Sequence, residues 1–274
     1  MLKEITIGQY IPGDSFVHRL DPRTKILSSI LFIVALFLIN KYVGYIAVFA
    51  YLGTAIISSR IKFKMLYNGL KPVFILILFT AALNVFMTTG TESSLLFHKG
   101  FIKIYKEGVN TAVFMSLRLV LLILGTSLLT LTTSPIELTD GIESLLKPLK
   151  KIGVPAHELA MMMTIALRFI PTLMDETDKI MKAQQARGAD FESGNIIQKA
   201  KNLIPLLVPL FISSFRRADE LAMAMEARCY RGGKGRTKMT RRTLRPYDFI
   251  LVIFFGAFIA GVVLTNKYIP FYTV

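Results

Sequence analysis

Asp178-Lys-Ile-Met-Lys-Ala183-Gln-Gln-Ala186-Arg187-Gly188 and Asp219-Glu-Leu-Ala-Met-Ala224-Met-Glu-Ala227-Arg228-Cys229 close two long helical segments between Pro155 and Gly233 with nearly the same phrase. Both fit Asp-x4-Ala-x2-Ala-Arg, and the two arginines stand 41 residues apart (228 − 187). Alanines at i and i+3 give a helix a narrow, smooth face that another surface can approach closely. Arginine at a helix end extends a five-donor fork suited to carboxylates and backbone carbonyls. Gly188 is a natural C-cap, which puts Arg187 in the last turn. A lone arginine there would do no more than complement the helix dipole. Two copies on successive helices, both tethered between apolar blocks, point to docking: a cytoplasmic lever attached to a membrane domain.

The rest of the chain supplies the membrane domain. Of its 274 residues, 53% are hydrophobic, and the mean hydropathy is +0.53. Apolar blocks separated by basic linkers are the signature of a multi-span helical membrane protein. The net charge of +15 follows from basic residues beside spans, as the positive-inside rule and anionic lipid require, and no Lys/Arg tract suggests a nucleic-acid partner. One cysteine and three histidines exclude an intrachain disulfide framework and a histidine-based metal cluster. The first 25 residues hold no apolar run beside a cleavage site, so no signal peptide is expected to be removed.

Asp21 and Pro22 suit the N-cap and first position of a helix, and the basic residues before them hold that end inside. The apolar stretch from Ile26 to Ser59 would run about 51 Å as one helix against a hydrocarbon core of about 30 Å. It therefore divides at Asn40-Lys41 into spans over 26–39 and 43–58. Arg60, Lys62, Lys64 and Lys71 return the chain to the cytoplasm. Pro72 to Thr89 reads as the third span, Gly90 to Gly108 as an outer loop, and Gly108 to Thr133 as the fourth span. Arg118 lies deep in that fourth span, facing protein or snorkelling to the interface. Ser134-Pro135-Ile136-Glu137 is a capping box that opens a short amphipathic helix, ended by Pro148 and Gly153. Tyr247 to Thr265 is the last span. The expectation is an all-α polytopic protein of about five spans, with the N-terminus inside and the C-terminus outside. Its regions are 1–133 in the membrane, 134–245 as cytoplasmic coupling helices, and 246–274 as the C-terminal span.

Two apolar patches interrupt the charged region. Leu159–Met174 contains Arg168, and Leu203–Phe215 contains Pro205 and Pro209; both are short for spans. They are expected to lie against the membrane or to dock under another membrane protein; entry into the bilayer, giving seven spans, is the competing reading. Met161, Met162, Met163, Met174, Met181, Met223 and Met225 fall on the same helices, as gap-fillers or as an adaptable contact surface. Pro171, Pro205 and Pro209 are expected to kink or break the helices. Catalysis finds little support. Asp175, Glu176 and Asp178 read as a solvated charge run, no Ser/His/Asp or Cys/His arrangement stands out, and the basic linker from Arg231 to Arg245 lacks the phosphate-loop pattern.

Several segments resemble the transmembrane T component of energy-coupling factor transporters, the ABC-type importers of vitamins and some metal ions. His18-Arg-Leu-Asp-Pro-Arg-Thr-Lys25 looks like that family's entry to its first span, and Thr133-Ser-Pro-Ile-Glu-Leu138 like its exit from the fourth. Ala166-Leu-Arg-Phe-Ile-Pro171, Ala183-Gln-Gln-Ala-Arg-Gly188 and Met225-Glu-Ala-Arg-Cys-Tyr-Arg-Gly-Gly233 are similar to its coupling region. The resemblance implies a non-enzymatic scaffold without cofactor. It would join two ABC ATPase subunits, which bind the ATP, to a small substrate-binding membrane subunit, one or several in exchange. Carried over, Ala186, Arg187 and Gly188 would meet one ATPase, and Ala227, Arg228 and Cys229 the other, although Cys229 stands where the family pattern has glycine. The apolar patches would hold the substrate subunit, through Met161, Met162, Met163, Pro171, Leu206 and Pro209. The rival readings are a stand-alone secondary transporter, which predicts a repeat in the membrane region, and a membrane-embedded enzyme using a carboxylate such as Asp175.

Overall fold

The computed structural model describes residues 10–39, 41–90, 95–99, 102–191, 193–233 and 246–268. Asn40, residues 91–94, 100 and 101 of the expected outer loop, most of the basic linker and both chain ends lie outside the described residues. Two compact units are present. One comprises the described residues of Gly8–Gly141 and Arg242–Val274, the other those of Ile142–Arg241.

In the first unit, a short turn of helix, α1 (Phe16–Arg19), leads into α2 (Pro22–Leu38). Asp21 caps α2 as expected: its side chain accepts from the Arg23 amide at 2.9 Å, and Pro22 sits in the first turn, where its missing N–H costs nothing. Helix α3 (Tyr42–Ser59) follows. The third apolar segment differs from its expected bounds. It starts at α4 (Phe63–Leu70), tightens through a 3-10 turn at Lys71–Val73, and continues as α5 (Phe74–Met87). Pro72 does not open this run. It sits in the first turn of the 3-10 segment, where the tightened helix accommodates its missing N–H.

The segment expected as an outer loop contains a hairpin instead. Strand β1 (Leu95–Lys99) pairs antiparallel with β2 (Ile102–Tyr105), with an irregularity between Leu95 and Phe97. Helix α6 (Lys106–Thr132) starts directly after it, and α11 (Pro246–Tyr268) completes the unit. Among the described residues, three helices are long and apolar enough to cross a membrane: Tyr42–Ser59, Phe63–Met87 and Lys106–Thr132. The 17-residue α2 and the apolar part of α11, Pro246–Val262, are shorter.

The core of this unit is built from α2, α3, α6 and α11. Phe32, Leu36, Ile39, Tyr45, Val48, Leu121 and Phe255 form its buried centre. Polar ties set the helix directions. The buried Asp248, in the first turn of α11, accepts from the Asp21 amide at 3.0 Å, so α2 and α11 begin side by side. Buried Lys25 donates to the carbonyls of His18 (3.1 Å) and Thr132 (3.0 Å), which places the end of α6 beside the start of α2. At the other end, Arg118 Nη2 donates to the Ile39 carbonyl at 2.9 Å, and its guanidinium lies over the rings of Phe37 and Phe114. Arg118 therefore faces protein and caps the end of α2.

Gly125 lets α6 approach α2. A Cβ at that position would lie on the buried Phe32 ring. Replacing Gly125 by Ala is expected to destabilise the protein by about 2 kcal/mol, because the new methyl overlaps the Phe32 ring and forces it out of its packed position. Far-UV circular dichroism during unfolding in detergent reads this directly, and an unchanged midpoint would contradict it.

Candidate functional site

The second unit carries the paired motifs. Helix α7 (Pro135–Leu146) bridges into it. Ser134 caps that helix, its hydroxyl accepting from the Glu137 amide at 3.3 Å. A 3-10 segment, Lys147–Ile152, ends at Gly153 with φ 93°. Pro155 then precedes α8 (Ala156–Ala186), and a short α9 (Ile196–Asn202) leads to α10 (Ile204–Ala227). The prolines do not break the long helices. Pro171 and Pro209 both sit inside continuous helices, and Pro205 falls in the first turn of α10.

Both helices end in the same backbone turn. At the first end, the Gly188 amide donates to Gln185 O at 2.9 Å, and the Ala189 amide to Gln184 O at 3.0 Å. At the second, the Cys229 amide donates to Glu226 O at 2.8 Å, and the Tyr230 amide to Met225 O at 3.0 Å. These are two copies of one Schellman cap, with the left-handed residue one place after the arginine. Gly188 has φ 90° and Cys229 has φ 56°. Cysteine thus keeps the glycine's backbone role, although a side chain there costs about 1–2 kcal/mol.

Replacing Cys229 by Gly relieves that cost and adds roughly 0.5–1 kcal/mol of unfolded-chain entropy. The relief outweighs the added entropy. Hydrogen exchange of the Tyr230 amide is expected to slow about threefold, as ~0.7 kcal/mol requires, and faster exchange would show that the turn is not strained.

Ala186, Arg187, Gly188, Ala227, Arg228 and Cys229 are all exposed, as are Ala183 and Ala224 on the faces leading to them. The two tips lie far apart on the helix pair. The chain beyond the second tip returns to the start of α8, where a Cβ on Gly233 would meet the His157 ring at 2.8 Å. His157 in turn pairs through Nδ1 with Glu143 of α7 at 3.1 Å. The first tip lies at the opposite end of the 31-residue α8, about 45 Å along the helix axis.

Between the tips, α8 and α10 pack around Glu176 and Arg217, whose carboxylate and guanidinium are 2.6 Å apart and only about a third exposed. Glu176 is therefore not part of a solvated run, whereas Asp175 beside it is exposed. A largely apolar cleft of about 260 Å³ flanks this pair, lined by Ile165, Phe169, Leu173, Leu221 and Met225 among others. Of the other residues singled out in the sequence, Met162, Met163 and Pro171 are exposed, Met161 and Pro209 are half-buried, and Leu206 is buried at 5% exposure. The sequence reading missed Phe211 and Phe215, two exposed, stacked rings one turn apart on α10. Their i, i+4 spacing within the Leu203–Phe215 patch was the available signal.

Known proteins match the chain over nearly its whole length. The model of the cobalt transport protein family, CbiQ, matches residues 13–239. The energy-coupling factor transporter transmembrane protein EcfT of Clostridium kluyveri is 69% identical over 250 residues, covering 91% of this chain and 92% of that one. The proteins of the same name from Thermosediminibacter oceani and Bacillus subtilis are 58% and 54% identical, over 97% and 92% of this chain and 99% and 95% of theirs. With a predominantly helical membrane unit and two capped helices carrying the paired arginines, the chain belongs to the CbiQ family of cobalt transport proteins, among the EcfT-type transmembrane proteins.

Proposed function

We propose that this chain is the transmembrane coupling subunit of an energy-coupling factor importer for a vitamin or a metal ion. Two ABC ATPase subunits bind at Ala186-Arg187-Gly188 and at Ala227-Arg228-Cys229, and a small substrate-binding membrane subunit sits on the apolar faces of α8 and α10. The observation that carries this reading is the pair of tips. One cap geometry occurs twice, ends each time in an exposed arginine, and stands at well-separated ends of one helix pair. A separate socket for each tip is what two ATPases offer. The chain transmits their motion and leaves ATP hydrolysis to them.

Exposed apolar side chains at Met162, Met163, Val208, Phe211, Ile212 and Phe215 supply the surface for the substrate subunit. The paired starts of α2 and α11 support five spans: both enter from the cytoplasmic side, so the C-terminus lies outside. A stand-alone secondary transporter fits less well, because the repeated element is a pair of tips and not a duplicated membrane half.

Affinity capture of the tagged protein from its native membranes in mild detergent tests the proposal. Two P-loop ATPases and a small, very apolar protein are the expected companions; a protein that purifies alone would overturn it. The chain's single thiol gives a second readout, because Cys229 is exposed at the second tip. Its alkylation by a maleimide is expected to slow about tenfold in the captured complex relative to the isolated subunit, since access limits thiol chemistry.

A further inference from the structure

Glu176 and Arg217 are themselves 41 residues apart, the same offset as the two tip arginines. They are therefore equivalent positions in the two helices, each 11 residues before its arginine (187 − 176; 228 − 217). Leu173 and Ser214, also equivalent, line the cleft beside them. The return of Gly233 to His157 shows that the end of α10 lies toward the start of α8. Two helices that meet at equivalent positions and run in opposed senses are related by a local twofold axis. That axis passes by the Glu176–Arg217 pair, leaving arms of equal length, about 16 Å each, to the two arginines.

The charges at this register are opposed. The first helix carries Asp175-Glu176 where the second carries Arg216-Arg217. A twofold pairing of either helix with its own copy would set like charges against each other, and only the mixed pairing satisfies both. Register and partner choice by charge is an established use of such devices. Glu176 and Arg217 join the two helices directly, carboxylate to guanidinium at 2.6 Å.

We propose that the Asp175-Glu176/Arg216-Arg217 register is a charge-selected pivot. It fixes which helix pairs with which and holds the crossing in place, so that displacement of one tip reaches the other as rotation about a fixed point. Glu176 and Arg217 are positioning residues that touch no ligand. The claim that the pivot serves transport rests on the coupling function proposed above; the claim that it holds the helix pair does not.

The test uses two readouts. In the isolated subunit in nanodiscs, nitroxide labels at the native Cys229 and at Lys182→Cys report the distance between the tips by pulsed electron resonance. A single narrow distribution is expected with Glu176 and Arg217 intact. It should broaden in Glu176→Arg and narrow again in the exchange Glu176→Arg/Arg217→Glu. In the assembled, unlabelled transporter in liposomes, ATP-driven uptake is expected to fall about tenfold in Glu176→Arg and to recover at least half in the exchange. Glu176→Gln, which removes the charge without repulsion, gives an intermediate result and covers the case in which Glu176→Arg does not fold. An unbroadened distance in Glu176→Gln and Glu176→Arg, or no rescue by the exchange, overturns the pivot. Distances that broaden and recover while uptake stays constant keep the helix pairing and overturn its role in coupling.

Discussion

Replacing Arg187 and Arg228 together by alanine is expected to abolish co-purification of the ATPases while leaving the membrane subunit folded. Each cap is made by backbone groups alone: amides of residues 188 and 189 at one end, of 229 and 230 at the other. Removing an exposed guanidinium touches none of those bonds, so stability should change by no more than about 0.5 kcal/mol. Binding is different. Truncating one member of a buried, charge-assisted interfacial pair typically costs about 2–5 kcal/mol. The two tips lie at well-separated ends of the pair, so their losses should add, giving at least a thousandfold weakening. Lysine keeps the charge but loses the planar fork, so Arg187→Lys with Arg228→Lys should retain weak, salt-sensitive binding. Capture of stoichiometric ATPases by the double alanine variant would remove the arginines from the interface.

A large effect on stability is expected at Arg118. Its Nη2 satisfies the Ile39 carbonyl just past the last turn of α2, and its guanidinium lies over two aromatic faces at 5.5 Å and 5.1 Å. Leucine fills the space but leaves that carbonyl without its donor, in a span where little water is available to replace it. The expected loss is about 3 kcal/mol: roughly 2 for a charged hydrogen bond and 1 for the cation–π contact. Arg118→Lys can still reach the carbonyl and should lose about 1 kcal/mol through the poorer stacking. Unfolding in nanodiscs, followed by far-UV circular dichroism because the chain has no tryptophan, separates the three proteins. A leucine variant as stable as the parent would show that the carbonyl finds another donor.

Helix starts were legible in the sequence because a few local residues set them. Asp21-Pro22 and Ser134-Pro135-Ile136-Glu137 act through bonds to amides within three residues, and both formed where the pattern placed them. The tips were legible for the same reason, since a cap is a local event. What stayed hidden depended on partners distant in sequence. Pro171 and Pro209 mark breaks by local rules, yet both helices continue through them, and the long packed elements absorb one missing bond each. The hairpin before α6 had its signal in Ile102, Ile104 and Tyr105 between glycines, but strand propensity in so short a run is weak without its cross-strand partner. Glu176 looked solvated because Arg217, which covers it, is 41 residues away. Arg118 could be read as snorkelling or as facing protein until the end of α2 was placed beside it.

The two caps share their backbone bonds but not their letters: Gln184, Gln185 and Gly188 at one end, Met225, Glu226 and Cys229 at the other. What is duplicated is a shape held by main-chain atoms, and apart from the left-handed position after each arginine such a shape asks little of the side chains around it. The residues flanking each arginine are thereby released to diverge: two amides beside one prong, a thioether and a carboxylate beside the other. In the proposed assembly, prongs that agree in form and differ in label would enter a pair of similar sockets in one orientation only.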